Sequence, residues 1–168
     1  GLAVAEDGLQ FLEVDSGFQR KLSPDTPVAL SWSRDDAMLA AAFVLADYET
    51  RLSLYSAQGE LLHETLLPVA LTQMAWSARG DLLLAGYALK QYSFGGNLRQ
   101  ALYRVNGTEV VETVLSDATL KPATAQRLAS IIASILPVAF SPHGDEFVYL
   151  QLHDPPQFAP YLELRYRN

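Results

Sequence analysis

Apolar runs of about four to eight residues, broken by short polar turns, follow one another along most of this chain, a strand pattern rather than a helical stripe. Residues 28–33 predict a first strand and Arg34-Asp35-Asp36 a turn. Residues 38–45 predict a second strand whose near-continuous apolarity suits burial on both faces. Residues 51–55 then alternate, with Leu52 and Leu54 on one face of a third strand. Ser56-Ala57-Gln58-Gly59 supplies a turn with glycine available for a positive φ, and 60–67 predict a fourth strand ended by Pro68. The same order returns in 71–77, 81–89, 98–105, an Asn106-Gly107 hairpin turn and 108–115.

A short phrase marks the start of each round. It reads Ala29-Leu30-Ser31-Trp32-Ser33-Arg34-Asp35-Asp36, then Met74-Ala75-Trp76-Ser77-Ala78-Arg79-Gly80-Asp81, then Val138-Ala139-Phe140-Ser141-Pro142-His143-Gly144-Asp145. Trp32 and Trp76 lie 44 residues apart, one period of a four-stranded repeat of about 40 to 45 residues. Trp76 and Phe140 lie 64 apart, one period plus an insertion of about 20 residues. The ends hold fragments of the unit: 9–14 and 18–22 match its third and fourth strands, while 137–140, 146–152 and 161–166 match its first three.

The phrase and its spacing resemble WD40-like β-propeller repeats over nearly the whole chain. The Gly-His and Trp-Asp dipeptides of that family are absent, and Tyr55-Ser56 and Tyr103-Arg104 occupy the Trp-Asp neighbourhood. The resemblance implies an all-β fold, a partial β-propeller of four-stranded antiparallel blades. Its expected divisions are blade pieces at 1–27, a blade at 28–68, a blade at 69–117, a helical insertion at 118–136 and a partial blade at 137–168, all within a single domain. Propellers close with about 4 to 8 blades, so the ring is expected to be completed by further blades of a longer chain or by a second chain. Within the insertion, Pro122, Thr124 as N-cap, and Leu128, Ile131, Ile132 and Ile135 on one face predict a helix at about 122–136, stopped by Pro137.

In a propeller, the loops between second and third strands and those leading to the next blade share one face. On that rule the tight turns, Arg34-Asp35-Asp36, Ala78-Arg79-Gly80, Pro142-His143-Gly144 and those at Gly17, Gly59 and Gly107, fall on one side. The long individual loops, 46–50, 90–96, 153–160 and the insertion from about 116 to 136, fall on the other. Long loops on a rigid scaffold are where binding residues collect. These carry Tyr48, Tyr92, Phe94 and Phe158, the last inside Asp154-Pro155-Pro156-Gln157-Phe158-Ala159-Pro160, and the four are the candidate partner-binding residues.

Composition narrows the choice of function. The net charge is −7 with no basic run, which argues against nucleic acid as partner. Absence of cysteine removes disulfides, thiol catalysis and thiolate metal sites. The longest apolar stretch, 37–46, is ten residues, too short to span a bilayer, so a soluble chain with no transmembrane segment is expected. Residues 1–8 carry two acids and no basic n-region, unlike an intact signal peptide.

Catalytic constellations are not evident. His63, His143 and His153 fall in a strand, a turn and a strand end without metal-ligand spacing. Asp35, Asp36, Asp81 and Asp145 recur once per repeat, which suits turn residues that bond to backbone amides better than a catalytic acid. Asn106-Gly107-Thr108 matches a glycosylation acceptor but also encodes the hairpin turn. The expectation is a non-enzymatic interaction scaffold with no cofactor or metal, presenting its long-loop face to a protein partner or to another domain. The alternatives are an accessory propeller of a larger hydrolase and a periplasmic or extracellular ligand-binding propeller.

Overall fold

A computed structural model describes residues 2–5, 7–45, 48–128, 138–141 and 146–167. Among the described residues the fold is all-β, four antiparallel sheets with one short helix, and the chain divides into two compact units, Gly1–Pro68 and Val69–Asn168.

In the first unit β1 (Leu2–Ala5), β2 (Leu9–Leu12) and β3 (Gln19–Ser23) form a three-stranded sheet in chain order. A four-stranded sheet follows, also in chain order: β4 (Ala29–Trp32), β5 (Met38–Leu45), β6 (Glu49–Ser56) and β7 (Leu61–Leu67). The apolar run predicted as a doubly buried strand is β5, in which Leu39 through Phe43 are shielded from water. Its odd-numbered side chains, Leu39, Ala41 and Phe43, meet Leu9 and Tyr55, with Leu22, Leu30 and Trp32 closing the edge of this core. Full burial of one such leucine or phenylalanine contributes about 1.5–3 kcal/mol. Arg51 of β6 lays its guanidinium 4.5 Å from the centre of the Phe43 ring and reaches Asp25 at 2.6 Å and Glu64 at 3.7 Å. One cation thereby ties β5, β7 and the segment after β3 together.

The second unit repeats the four-stranded order with β8 (Ala70–Trp76), β9 (Leu82–Tyr92), β10 (Gly95–Asn106) and β11 (Glu109–Leu120). Helix α1 (Pro122–Leu128) and a three-stranded sheet of β12 (Val138–Phe140), β13 (Phe147–His153) and β14 (Tyr161–Arg167) also belong to it. Leu83, Ala85, Leu102 and Leu115 from the first of these sheets pack with Val138 and Tyr149 from the second. The third-to-fourth-strand ion pair recurs as Arg99 to Glu112 at 2.7 Å, and both pairs are separated by 13 residues.

The serine of the repeated phrase is the residue that closes each turn. Ser33 Oγ accepts the Met38 amide at 2.9 Å while the Ser33 amide donates to the Met38 carbonyl at 2.8 Å. Ser77 makes the same two bonds with Asp81, and Ser141 with Glu146. Ser56 repeats the device with Glu60 in the turn between β6 and β7. Carboxylates were expected in this role, and Asp35 does accept the Ala37 amide at 3.2 Å. Asp81 instead turns away, toward Asn106 at 2.9 Å and Arg104 at 3.8 Å. Asp145 and the Pro142-His143-Gly144 turn lie outside the described residues.

Several expected boundaries move. Residues 2–5 form a strand that pairs with β2, unannounced because four small and apolar residues are too few to show a period. The expected long loop 90–96 is a two-residue turn, Ser93-Phe94, at the tip of a long ribbon in which Tyr92 faces Gly95. The expected insertion begins later, since β11 runs to Leu120. The loop expected at 46–50 is shorter, because β5 reaches Leu45 and β6 starts at Glu49, with 46–47 outside the described residues. The hairpin turn expected at Asn106-Gly107 is centred one residue later, on Gly107-Thr108, with Asn106 facing Glu109 and Gly107 at φ 58°. That places glycine at the first central position, where a type II′ turn needs it. Of the helix expected at about 122–136, residues 122–128 are helical; Ile131, Ile132 and Ile135 lie outside the described residues.

One buried polar group works against the fold. Gln100 is 2% exposed, and among the described residues neither its side-chain nitrogen nor its oxygen has a hydrogen-bond partner. Gln100→Met, which keeps the volume and removes the orphaned amide, is expected to raise the unfolding free energy by about 1–2 kcal/mol. Ser77→Ala, which strips the Asp81 amide of its acceptor, is expected to lower it by about 1 kcal/mol. Urea unfolding checks both, as midpoint shifts of opposite sign at constant slope.

Candidate functional site

Three segments of the second unit meet at one end of it: the β9–β10 tip, the junction of β11 with α1, and the loop 154–160. Glycine makes the first contact close. A Cβ on Gly95, at φ 146°, would stand 2.3 Å from the Leu120 carbonyl oxygen, and one on Gly96 would stand 2.9 Å from the Ala125 Cβ. The Gln91 side-chain amide donates to the Ala125 carbonyl at 3.4 Å, so the ribbon tip rests on the start of the helix.

Asp154 joins the third segment to the same point. Its side chain is 0% exposed, and Oδ2 accepts the Lys121 amide at 2.6 Å while Lys121 Nζ stands 3.3 Å from Oδ1. Pro122 occupies the first helical position, where the missing N–H costs nothing. The oxygen that caps α1 therefore comes from 33 residues downstream and not from Thr124, which lies inside the first turn and donates its hydroxyl to the same carboxylate. Burial pushes the Asp154 pKa up, but the Lys121 amide, the Thr124 hydroxyl and the Lys121 ammonium outweigh it and hold the carboxyl below 3.8. The other bond of Lys121 Nζ, 2.8 Å to the Phe158 carbonyl, fixes the middle of the loop.

On this tethered frame stand three of the four candidate aromatics. Tyr92 and Phe94 stack with ring centres 5.5 Å apart and planes 8° from parallel. Phe94 is 82% exposed and Phe158 71%, so large apolar side chains project from a backbone held by glycine contacts and by the pairing of half-exposed Lys121 with buried Asp154. Tyr48 belongs to the first unit, half-buried just before β6 in a left-handed conformation at φ 62°. Asp154 and Lys121 were not singled out in the sequence. Their signal, an acid immediately before Pro155-Pro156 and a lysine immediately before Pro122, was visible only as loop composition.

The remaining titratable groups serve the sheets. Burial raises the Tyr103 phenol, and its bond to Glu112 at 2.9 Å raises it further. Burial likewise raises Tyr55, on the corresponding strand of the first unit. Asp35 is held low first by the Ser33 hydroxyl and then by the Ala37 amide, within its turn. His153 stacks on Tyr161 at 4.9 Å and lies 3.0 Å from Glu163, and His63 sits half-buried in β7. His143 lies outside the described residues. Among the described residues no group of three or more His, Asp or Glu is placed to hold a metal ion, and no helix is long and apolar enough to cross a membrane.

No protein-family model matches this chain, and no curated protein is significantly similar to it.

Asp154→Ala is expected to cost about 1–2 kcal/mol at neutral pH, the range for losing a helix cap. Because the folded pKa is lowered, this contribution is complete above the unfolded value and is lost as pH falls through the folded one. Urea unfolding of both proteins at stepped pH should show the gap at pH 7 and its narrowing below pH ~3.8.

Proposed function

We propose that this chain is part of a WD40-like β-propeller that serves as a non-enzymatic interaction scaffold, docking a partner protein through the Tyr92, Phe94 and Phe158 end of its second unit. The propeller reading draws support from recurrence. Two antiparallel sheets of four strands run in chain order, each turn after the first strand is clamped by the phrase serine, and each third strand sends an arginine to a glutamate 13 residues on. On this reading β12–β14 is a further blade, completed by a strand from elsewhere in a longer chain or from another molecule.

The docking reading rests on one observation above all: the stacked Tyr92 and Phe94 pair, with Phe94 largely exposed, stands on a turn whose backbone is wedged against Leu120 and Ala125. Aromatics presented on an ordered backbone give contact area without a large loss of conformational entropy on binding. The chain's net negative charge favours a partner with a neutral or basic surface around an apolar centre.

Affinity capture with this chain as bait tests the reading. A partner held by the native protein is expected to be lost or weakened at least about tenfold by Phe94→Asp and by Phe158→Asp. It should be retained by Phe18→Asp, which alters an exposed aromatic of the first unit, 58% accessible. Equal capture by all three variants would overturn the assignment of this face.

A further inference from the structure

Asn106-Gly107 lies at the other end of β10 from the aromatic tip, where the β10–β11 hairpin meets the turn between β8 and β9. Asn106 is exposed, and its side-chain amide donates to Asp81 Oδ1 at 2.9 Å. The Asp81 side chain is 14% exposed, and its other oxygen stands 3.8 Å from Arg104 Nε. Asp81, Arg104, Asn106, Glu109 and Val111 line one open recess. Among the described residues nothing lies within 4 Å of the place a Cβ on Gly107 would take. A carboxamide therefore precedes an amide nitrogen that no side chain shields, with free space around it and solvent access through the recess.

We propose that Asn106 is a self-modifying site, converting to aspartate and isoaspartate through a cyclic imide, with Asp81 as the latch that sets the rate. The Gly107 nitrogen attacks Asn106 Cγ; the N–Cγ bond forms, the Cγ–Nδ2 bond breaks, and Nδ2 leaves as ammonia carrying the proton lost by the Gly107 amide. Water then opens the imide. Addition at Cγ breaks the new bond and leaves an aspartate at position 106, while addition at the main-chain carbonyl breaks the original peptide bond and leaves isoaspartate, with the chain running through the former side chain. Water is the sole co-reactant. Ring closure needs the backbone at Asn106 to leave the strand conformation that pairing with Glu109 imposes, so the reaction proceeds from the frayed hairpin tip. Asp81 opposes that fraying through a charge-assisted bond to the very nitrogen that must depart. Either product replaces the donor facing Asp81 by a carboxylate, and like charges at that distance repel. Conversion thus runs one way, from a hairpin pinned to the β8–β9 turn to one released from it. Asn97 is an internal reference: its amide donates to Asp117 at 2.8 Å, an equivalent bond, but the next residue is Leu98, whose side chain shields the nitrogen. The site needs no partner, so its outcome is independent of capture through Phe94 and Phe158.

Ageing the native chain at neutral pH, followed by peptide mass spectrometry and labelling with an isoaspartyl methyltransferase, tests the proposal. Asn106 is expected to convert to a mixture of both products while Asn97 keeps its amide, and Asn106→Gln should abolish the label. Asp81→Ala should accelerate conversion at least about threefold, the loss of one hydrogen bond. Asp81→Asn, which keeps the shape and an acceptor but not the charge, should fall between it and the native chain, and urea unfolding confirms that both variants are folded. Asn106→Asp should lower the urea midpoint at neutral pH, and Asp81→Asn in the same chain should recover it. An Asn106 that stays an amide in the native chain for as long as the urea-unfolded chain needs to convert overturns the proposal. So does aspartate formed without isoaspartate, or a rate indifferent to both Asp81 variants.

Discussion

Burial of the second strand of each four-stranded sheet on both of its faces is the constraint from which the rest of this structure follows. Ala40, Ala41 and Ala42 in β5 and Leu82 through Ala85 in β9 are removed from water, and a strand so buried keeps its place only if both neighbours pair with it along its length. Small residues allow the close approach: at Gly86 even a methyl group would sit 2.7 Å from the Ala70 carbonyl oxygen. Register is then set for the flanking strands, because a slip of one residue would bring polar positions into the core. Turns and ion pairs hold that register more than they create it. The serine clamps end each first strand at a fixed residue, and the Arg51–Glu64 and Arg99–Glu112 pairs lock the outermost strand of each sheet.

The interiors of the elements were legible from sequence and their ends were not, for a physical reason. Apolar runs such as 38–45 carry their own pattern, so β5 appears where it was expected. The β9–β10 ribbon extends past its apolar run through Lys90, Gln91 and Asn97, residues with little strand signal. What extends it is tertiary: Leu120 and Ala125 pack on Gly95 and Gly96 and carry the hairpin beyond the point its composition supports. The start of α1 misled in the same way. Thr124 has the composition of a cap, but the oxygen that arrives belongs to Asp154, and no local pattern can reveal a partner 33 residues away.

The candidate aromatics show a related division. Tyr92, Phe94 and Phe158 were named because they interrupt loops, and the structure puts all three in the second unit on one connected frame. Tyr48 was named by the same rule and sits in the first unit, half-buried. Loop membership alone does not distinguish a residue that projects from one that folds back. The distinction comes from the backbone, wedged outward at Phe94 by Gly95 and turned left-handed at Tyr48.

Asp154 carries a consequence for motion. Its carboxylate meets both the Lys121 amide, just before the helix, and the ammonium that grips the Phe158 carbonyl, so one side chain is shared by two otherwise separate stretches of chain. Neither can open without breaking bonds of the other. The loop and the helix start are therefore expected to open together, as a foldon joined by a side chain rather than by backbone.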